Sequence, residues 1–195
     1  KNILDSIKIS ENSFHVLIQA IKQFIKNDEI IKAAKLIEKN WFNFNCPEII
    51  ETFIKHNLKN NADSLKRHKL IVKVMKKHLN SSDEVRLSLA MSAYQAKIWG
   101  ESQKYLDDIP RENWDERTRN LYEEICKKSE KFSMPSNLNN VNPSPEWYCF
   151  SCKTRYKQWQ FVCDECKAVN SLKWPKTNNI TKKKSFLENP FRHFP

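Results

Sequence analysis

Two Cys-x-x-Cys pairs carry the one pattern in this 195-residue chain whose spacing commits it to a chemistry. Cys149 and Cys152 lie in Trp147-Tyr148-Cys149-Phe150-Ser151-Cys152, and Cys163 and Cys166 in Phe161-Val162-Cys163-Asp164-Glu165-Cys166. Within each pair two thiolates can turn toward one cation while nearby backbone amides donate hydrogen bonds to the sulfurs, and two facing knuckles complete a tetrahedron. Four thiolates select zinc or iron. A structural Zn²⁺ is the expected occupant, ahead of rubredoxin-like iron and of a disulfide or redox pair. With four protein ligands no position is left for water, so hydrolysis is not expected and the ion's task would be folding. A segment of about thirty residues cannot bury enough core without such a clamp. The glycine usual after each pair's second cysteine is replaced by Lys153 and Lys167, at some cost in backbone strain.

Other constellations are weaker. Lys153, Arg155, Lys157 and Lys167 interleave with Tyr156 and Trp159, the composition of a weak single-strand platform. The same aromatics, with Trp147, Tyr148, Phe161, Leu172 and Trp174, are also the available core of the module, and nucleic acid is the lesser expectation. His15, His56, His68, His78 and His193 are candidates for haem, although lone histidines on helices usually pack or face solvent. There is no phosphate-cradling glycine loop and no nucleophile motif, and Gly100 is the single glycine. No catalytic residue and no enzyme activity are expected.

Lys+Arg number 34 against 23 Asp+Glu, a net charge of +11. Nucleic acid, anionic lipid and acidic proteins all suit such a surface, and the lysines are spread through the body of the chain. The tight cysteine pairing points to metal and a reducing compartment. Cys46 and Cys126 read as buried free thiols. No stretch approaches the roughly 18 apolar residues of a membrane span. Because the chain starts without methionine it reads as a fragment, and a membrane anchor upstream stays open.

The elements that must carry this module are helical, since a β-rich chain would need more glycine. Apolar residues at steps of three and four mark a first helix (Phe14, Leu17, Ile18, Ile21, Phe24, Ile25), capped by Ser10 or Asn12, and a second (Ile30, Ala33, Ala34, Ile37, Trp41). Pro47 opens a third with Ile49, Ile50, Phe53 and Ile54. A fourth uses Leu65, Leu70, Val72, Val74, Met75 and Leu79 and is basic through Lys66, Arg67, Lys69, Lys73, Lys76 and Lys77. A fifth carries Val85 to Ala96 and is expected to end at Gly100. Tyr105, Leu106 and Ile109 mark a sixth, and a seventh runs from about Trp114 to Lys131. Ala34 and Ser102 lie 102 − 34 = 68 residues apart, twice the tetratricopeptide period, with His68 midway. The expected fold is an all-α tetratricopeptide-like solenoid of helical hairpins (residues 10–132), an Asn/Pro-rich linker (133–146), a zinc-ribbon or rubredoxin-like β module (147–175) and a disordered basic tail (176–195).

The pattern Pro145-x-Trp147-x-Cys149-x-x-Cys152, Trp159-x-x-x-Cys163-x-x-Cys166 and Asn170-Ser171-Leu172-x-Trp174 resembles the C-terminal ribbon of HemY-type proteins of alphaproteobacteria. Ala34-x-x-x-x-Glu38-x-x-Trp41 and Leu87-x-Leu89-Ala90-x-x-Ala93-x-x-Ala96-x-x-Trp99-Gly100 resemble that family's repeats. The resemblance implies an N-terminal membrane anchor, a location at the cytoplasmic face of the inner membrane, and partner proteins that include enzymes of tetrapyrrole metabolism. LapB-type regulators of lipopolysaccharide assembly are a more distant resemblance. The leading functional expectation is a non-enzymatic interaction scaffold associated with haem biosynthesis. A nucleic-acid binder using the basic fourth helix and the ribbon, or a LapB-like regulator, is the alternative.

Overall fold

The protein is described by a computed structural model covering residues 13–128, 130–136 and 141–175. The tail expected to be disordered, His193, and the capping candidates Ser10 and Asn12 lie outside the described residues.

Seven α-helices follow one another: α1 Phe14–Lys26, α2 Ile30–Phe44, α3 Pro47–Lys55, α4 Asn61–Met75, α5 Asp83–Gln95, α6 Trp99–Asp107 and α7 Glu116–Cys126. The first three helices bury the stripes that their periodicity marks, for example Phe14, Leu17, Ile18, Ile21, Phe24 and Ile25 on α1. Helices α1, α3, α5 and α7 pack side by side, α2 and α4 lie beside each other, and α6 pairs with α5 and α7. The chain is therefore helical hairpins packed in series. Two short 3₁₀ turns, Lys76–His78 and Arg111–Asn113, precede α5 and α7.

Two of the hairpin turns are the same motif. The Glu29 amide bonds to Phe24 O (2.8 Å) and the Asp28 amide to Ile25 O (3.0 Å), and likewise Ile98 to Ala93 O (2.9 Å) and Lys97 to Tyr94 O (3.0 Å). Asp28 (φ 61°) and Lys97 (φ 60°) take the left-handed conformation that closes such a turn.

These turns correct three expectations. Gly100 does not end α5; Lys97 does, and Gly100 is the second residue of α6. The two turns lie 97 − 28 = 69 residues apart, so the partner of Ser102 is Ala33, one residue from the expected Ala34. Counted from the helix starts at Ile30, Asn61 and Trp99, the third repeat of this position is Ser64 rather than His68. Ala33, Ser64 and Ser102 are all buried, and the two hydroxyls donate to Gln95 O (2.9 Å) and Ala90 O (2.7 Å) of the neighbouring helix. Small residues there let two backbones approach, a role the bulky His68 could not fill.

On α4 the buried face is Ser64, Arg67, His68, Ile71 and Met75, not the expected Leu65, Leu70, Val72 and Val74, which are only partly buried. Arg67 explains the inversion. It is 2% exposed, and its guanidinium donates to Phe53 O (2.8 Å), His56 O (2.7 Å) and Asn57 O (3.2 Å) at the end of α3 and to both carboxylate oxygens of Asp63. One charged side chain thus satisfies the orphan carbonyls of a helix end. The seventh helix is also shorter than expected: the Asp115 side chain caps it, accepting from the amides of Arg117 and Thr118, and it ends at Cys126.

Asn142 pairs with the start of α7, its amide donating to Trp114 O (2.9 Å) and its carbonyl accepting from Glu116 N (3.0 Å). A three-stranded antiparallel sheet follows, β1 Trp147–Cys149, β2 Arg155–Tyr156 and β3 Leu172–Lys173, in the order β2-β1-β3. Its inner residues Trp147, Cys149 and Leu172, with Cys163 from the loop between β2 and β3, belong to one buried cluster with α1, α2, α3 and parts of α4 and α5. A second cluster, around Leu106, Trp114, Tyr122 and Ile125, fills the far end of the helical array.

Candidate metal centre

Each cysteine pair sits in a tight turn, and the two turns are built alike. Cys149 N donates to Thr154 O (2.9 Å) and Lys153 N to Cys149 O (2.9 Å); fourteen residues on, Cys163 N donates to Ala168 O (3.0 Å) and Lys167 N to Cys163 O (2.9 Å). Lys153 (φ 66°) and Lys167 (φ 60°) adopt the left-handed conformation that the missing glycines lead one to expect. Each lysine then bends back on its own turn: Lys153 Nζ donates to Phe150 O and Lys167 Nζ to Asp164 O, both at 2.7 Å.

The turns face each other and bring Cys149, Cys152, Cys163 and Cys166 together, with all four sulfurs within 4.8 Å of one another. Cys149 Sγ lies 3.6 Å from Cys166 Sγ and Cys152 Sγ 3.5 Å from Cys163 Sγ. Four sulfurs at about 2.3 Å from a central ion would sit about 3.8 Å apart, whereas a disulfide needs about 2.05 Å. The spacing fits a shared cation, and all six cysteines are free thiols. The donor set is consistent with a metal site. Cys46 is buried as expected, while Cys126 is only partly so.

The surroundings favour thiolate on the inner sulfurs. Ser171 Oγ lies 3.2 Å from Cys149 Sγ, and that hydroxyl, with the amides of Cys152 and Ser151, draws the Cys149 thiol down to about 6. The Cys166 amide and the Tyr156 hydroxyl, 3.1 Å away, lower Cys163 in the same way. For Cys166 the Ala168 amide pulls downward, but burial and the three neighbouring sulfurs outweigh it and push the thiol up to about 12. Four thiolates this close repel one another. A cation at their centre removes that repulsion.

Sequence reasoning missed the hydroxyls of Tyr156, Ser171 and Thr154 as partners of the sulfurs; Thr154 Oγ1 is 3.3 Å from Cys152 Sγ. Thr154 is a local partner two residues from Cys152, whereas Tyr156 and Ser171 reach the cluster only when β1, β2 and the loop before β3 come together. The aromatic residues divide differently from the expectation too. Phe161 is 51% exposed and leaves the core, whereas Trp147 (3% exposed) packs edge-on against Phe14 of α1 at 4.8 Å between ring centroids. Trp159 lies against Phe14 (5.4 Å) and stacks on His15 (5.8 Å). Tyr156 and Trp159, considered as a platform for bases, are thus engaged with Cys163 and with α1.

A charged cluster secures the other side of the module. Arg117 on α7 makes ion pairs with Glu84 of α5 (2.6 Å) and Asp115 (2.7 Å), and its guanidinium lies 5.6 Å from the ring centre of Trp174. Burial pushes the Glu84 carboxyl up, and Arg117 opposes that. The module therefore contacts α1 at one end and α7 at the other, across the row of helix N-termini.

Fold and site together define a mostly helical protein with a small antiparallel sheet and a four-cysteine cluster suited to a metal ion. No known protein-family model matches the chain, and comparison with curated proteins gives no match. No helix among the described residues is long and apolar enough to cross a membrane.

Proposed function

We propose that the chain is a non-enzymatic scaffold for protein partners, a tetratricopeptide-like array of hairpins completed by a zinc ribbon whose Zn²⁺ is structural. The observation that carries this reading is the closed sulfur cluster, with sulfur–sulfur distances of 3.5 and 3.6 Å and a surround of hydroxyls and amides. Four thiolates fill a tetrahedral ion, and a redox-inert ion is the commoner structural occupant. The repeated turns at Asp28 and Lys97 and the small buried residues Ala33, Ser64 and Ser102 support the repeat reading. Arrays of this kind present extended surfaces to peptides and helices. The association with tetrapyrrole enzymes, and with a membrane through an anchor upstream, rests on the resemblance of residues 145–174 to HemY-type ribbons.

Two measurements on the native full-length protein test the reading. Elemental analysis is expected to give one zinc per chain, and iron or no metal in a well-ordered module would reject the structural zinc. Affinity capture from a membrane extract is expected to recover a reproducible set of proteins with tetrapyrrole enzymes among them. Recovery of none rejects the scaffold.

A further inference from the structure

The exposed side of α4 carries Lys66, Lys69 and Lys73, with Lys76 just beyond its end, at spacings of three and four that place them on one stripe opposite the buried Ser64, Arg67, His68, Ile71 and Met75. None of these four lysines makes an ion pair among the described residues. The one acid on the helix with a nearby position, Asp63, is taken up by Arg67 at 2.8 Å. Beside α4 lies α2, tied to it by the Lys77–Glu38 pair (2.7 Å) and by Phe42 edge-on to His78 (4.8 Å). On α2, Ile31 and Phe42 are eleven residues apart, three helical turns, and so share a face. They are 59% and 67% exposed, and among the described residues no other helix exposes a large apolar side chain to this degree. Lys35 and Lys39 flank them, exposed and without an ion-pair partner among the described residues.

We propose that the face formed by α2 and α4 docks on an anionic phospholipid surface, with Ile31 and Phe42 entering the headgroup region and Lys35, Lys39, Lys66, Lys69, Lys73 and Lys76 meeting lipid phosphates. Exposed apolar side chains set among lysines are the composition of a membrane-surface element. Two features turn the choice away from nucleic acid. The face holds lysines, compact point charges, and the only arginine of α4, the fork suited to phosphodiesters and bases, is buried under α3. Ile31 also has no π-face on which a base could stack.

The test is co-sedimentation of the metal-loaded 195-residue chain with vesicles of phosphatidylcholine alone and of phosphatidylcholine mixed with phosphatidylserine. Binding is expected to the anionic vesicles only and to weaken with salt. The variant K66Q/K69Q/K73Q/K76Q should lose affinity by about a hundredfold or more, since each lysine near such a surface contributes roughly fivefold. The variant I31S/F42S should keep low-salt binding but lose what remains at high salt. Both change only exposed residues, and an unchanged thermal melt confirms that they fold; K35Q/K39Q is the second charge variant and should weaken binding less. Equal binding to neutral vesicles, wild-type binding by the lysine variants, or loss of binding on changing Lys182, Lys183 and Lys184 to Gln instead would overturn the proposal. So would capture of single-stranded RNA by these lysines in a protein that ignores vesicles.

Discussion

Lys153 and Lys167 occupy left-handed positions that in an L-residue cost roughly 1 kcal/mol each, and their ammonium groups return part of it through one exposed hydrogen bond apiece. Replacing either by glycine should therefore stabilise the metal-loaded protein by about 0.5 kcal/mol, read as a shift in its denaturation midpoint. A loss of stability would mean that the lysine staple outweighs the strain. The hydroxyls beside the sulfurs act on the metal itself. Tyr156→Phe and Ser171→Ala each remove a partner of an inner thiolate, and metal affinity measured by competition with a chelator should fall about tenfold for each. A change below twofold would reduce these groups to bystanders.

At the scale of elements, α6 contains the simplest test. Gly100 lies inside the helix without a positive φ, and a methyl group there meets nothing within 4 Å. Gly100→Ala should raise stability by about 0.5–1 kcal/mol, whereas a glycine that terminated α5 would resist the change. The α3–α4 turn depends on one side chain. Arg67→Met strands Asp63 and three carbonyls, and a loss of about 3 kcal/mol in chemical denaturation is expected. His78, in the turn after α4, is buried with both ring nitrogens unpartnered among the described residues, and burial followed by the charge of Lys77 holds it below the ordinary imidazole value of 6.5. Below that value the unfolded chain takes up a proton that the folded chain refuses, so this contribution is complete above about pH 6.5 and is lost as the pH falls. Comparing denaturation at neutral and mildly acidic pH, His78→Phe should lose less stability on acidification than the wild type does.

For the molecule as a whole, the decisive feature is that the four-cysteine module shares a core with the helices. Trp147, Cys149, Cys163 and Leu172 lie in the cluster of α1, α2 and α3, and Arg117 holds Trp174 at the far end. Removing the metal should therefore lower the thermal midpoint of the helices followed by circular dichroism, not only signals from the module. Phe14→Ala should weaken the same coupling, because it cuts the ring contacts to Trp147 and Trp159. Two independently folded units would leave the helical midpoint unchanged when metal is withdrawn.

The amino-acid pattern alone determined where the seven helices lie, because apolar residues recur at helical spacing between breaks in the chain, and it determined the four sulfurs, because Cys-x-x-Cys closes within one turn. It was misled wherever a distant partner sets a residue's role. Arg67 reads as surface charge until the carbonyls ending α3 are seen around it, and His68 reads as a packing position until the helix starts are aligned on Ser64. Tyr156 and Ser171 become partners of sulfur only through strand pairing. Burial against the helical row is a property of the assembled chain, since the energy of Trp147 on Phe14 depends on two segments far apart in sequence that no local period relates. Tertiary structure alone could gather the lysines and the two exposed apolar residues of α2 and α4 onto one face, because that needs two helices side by side.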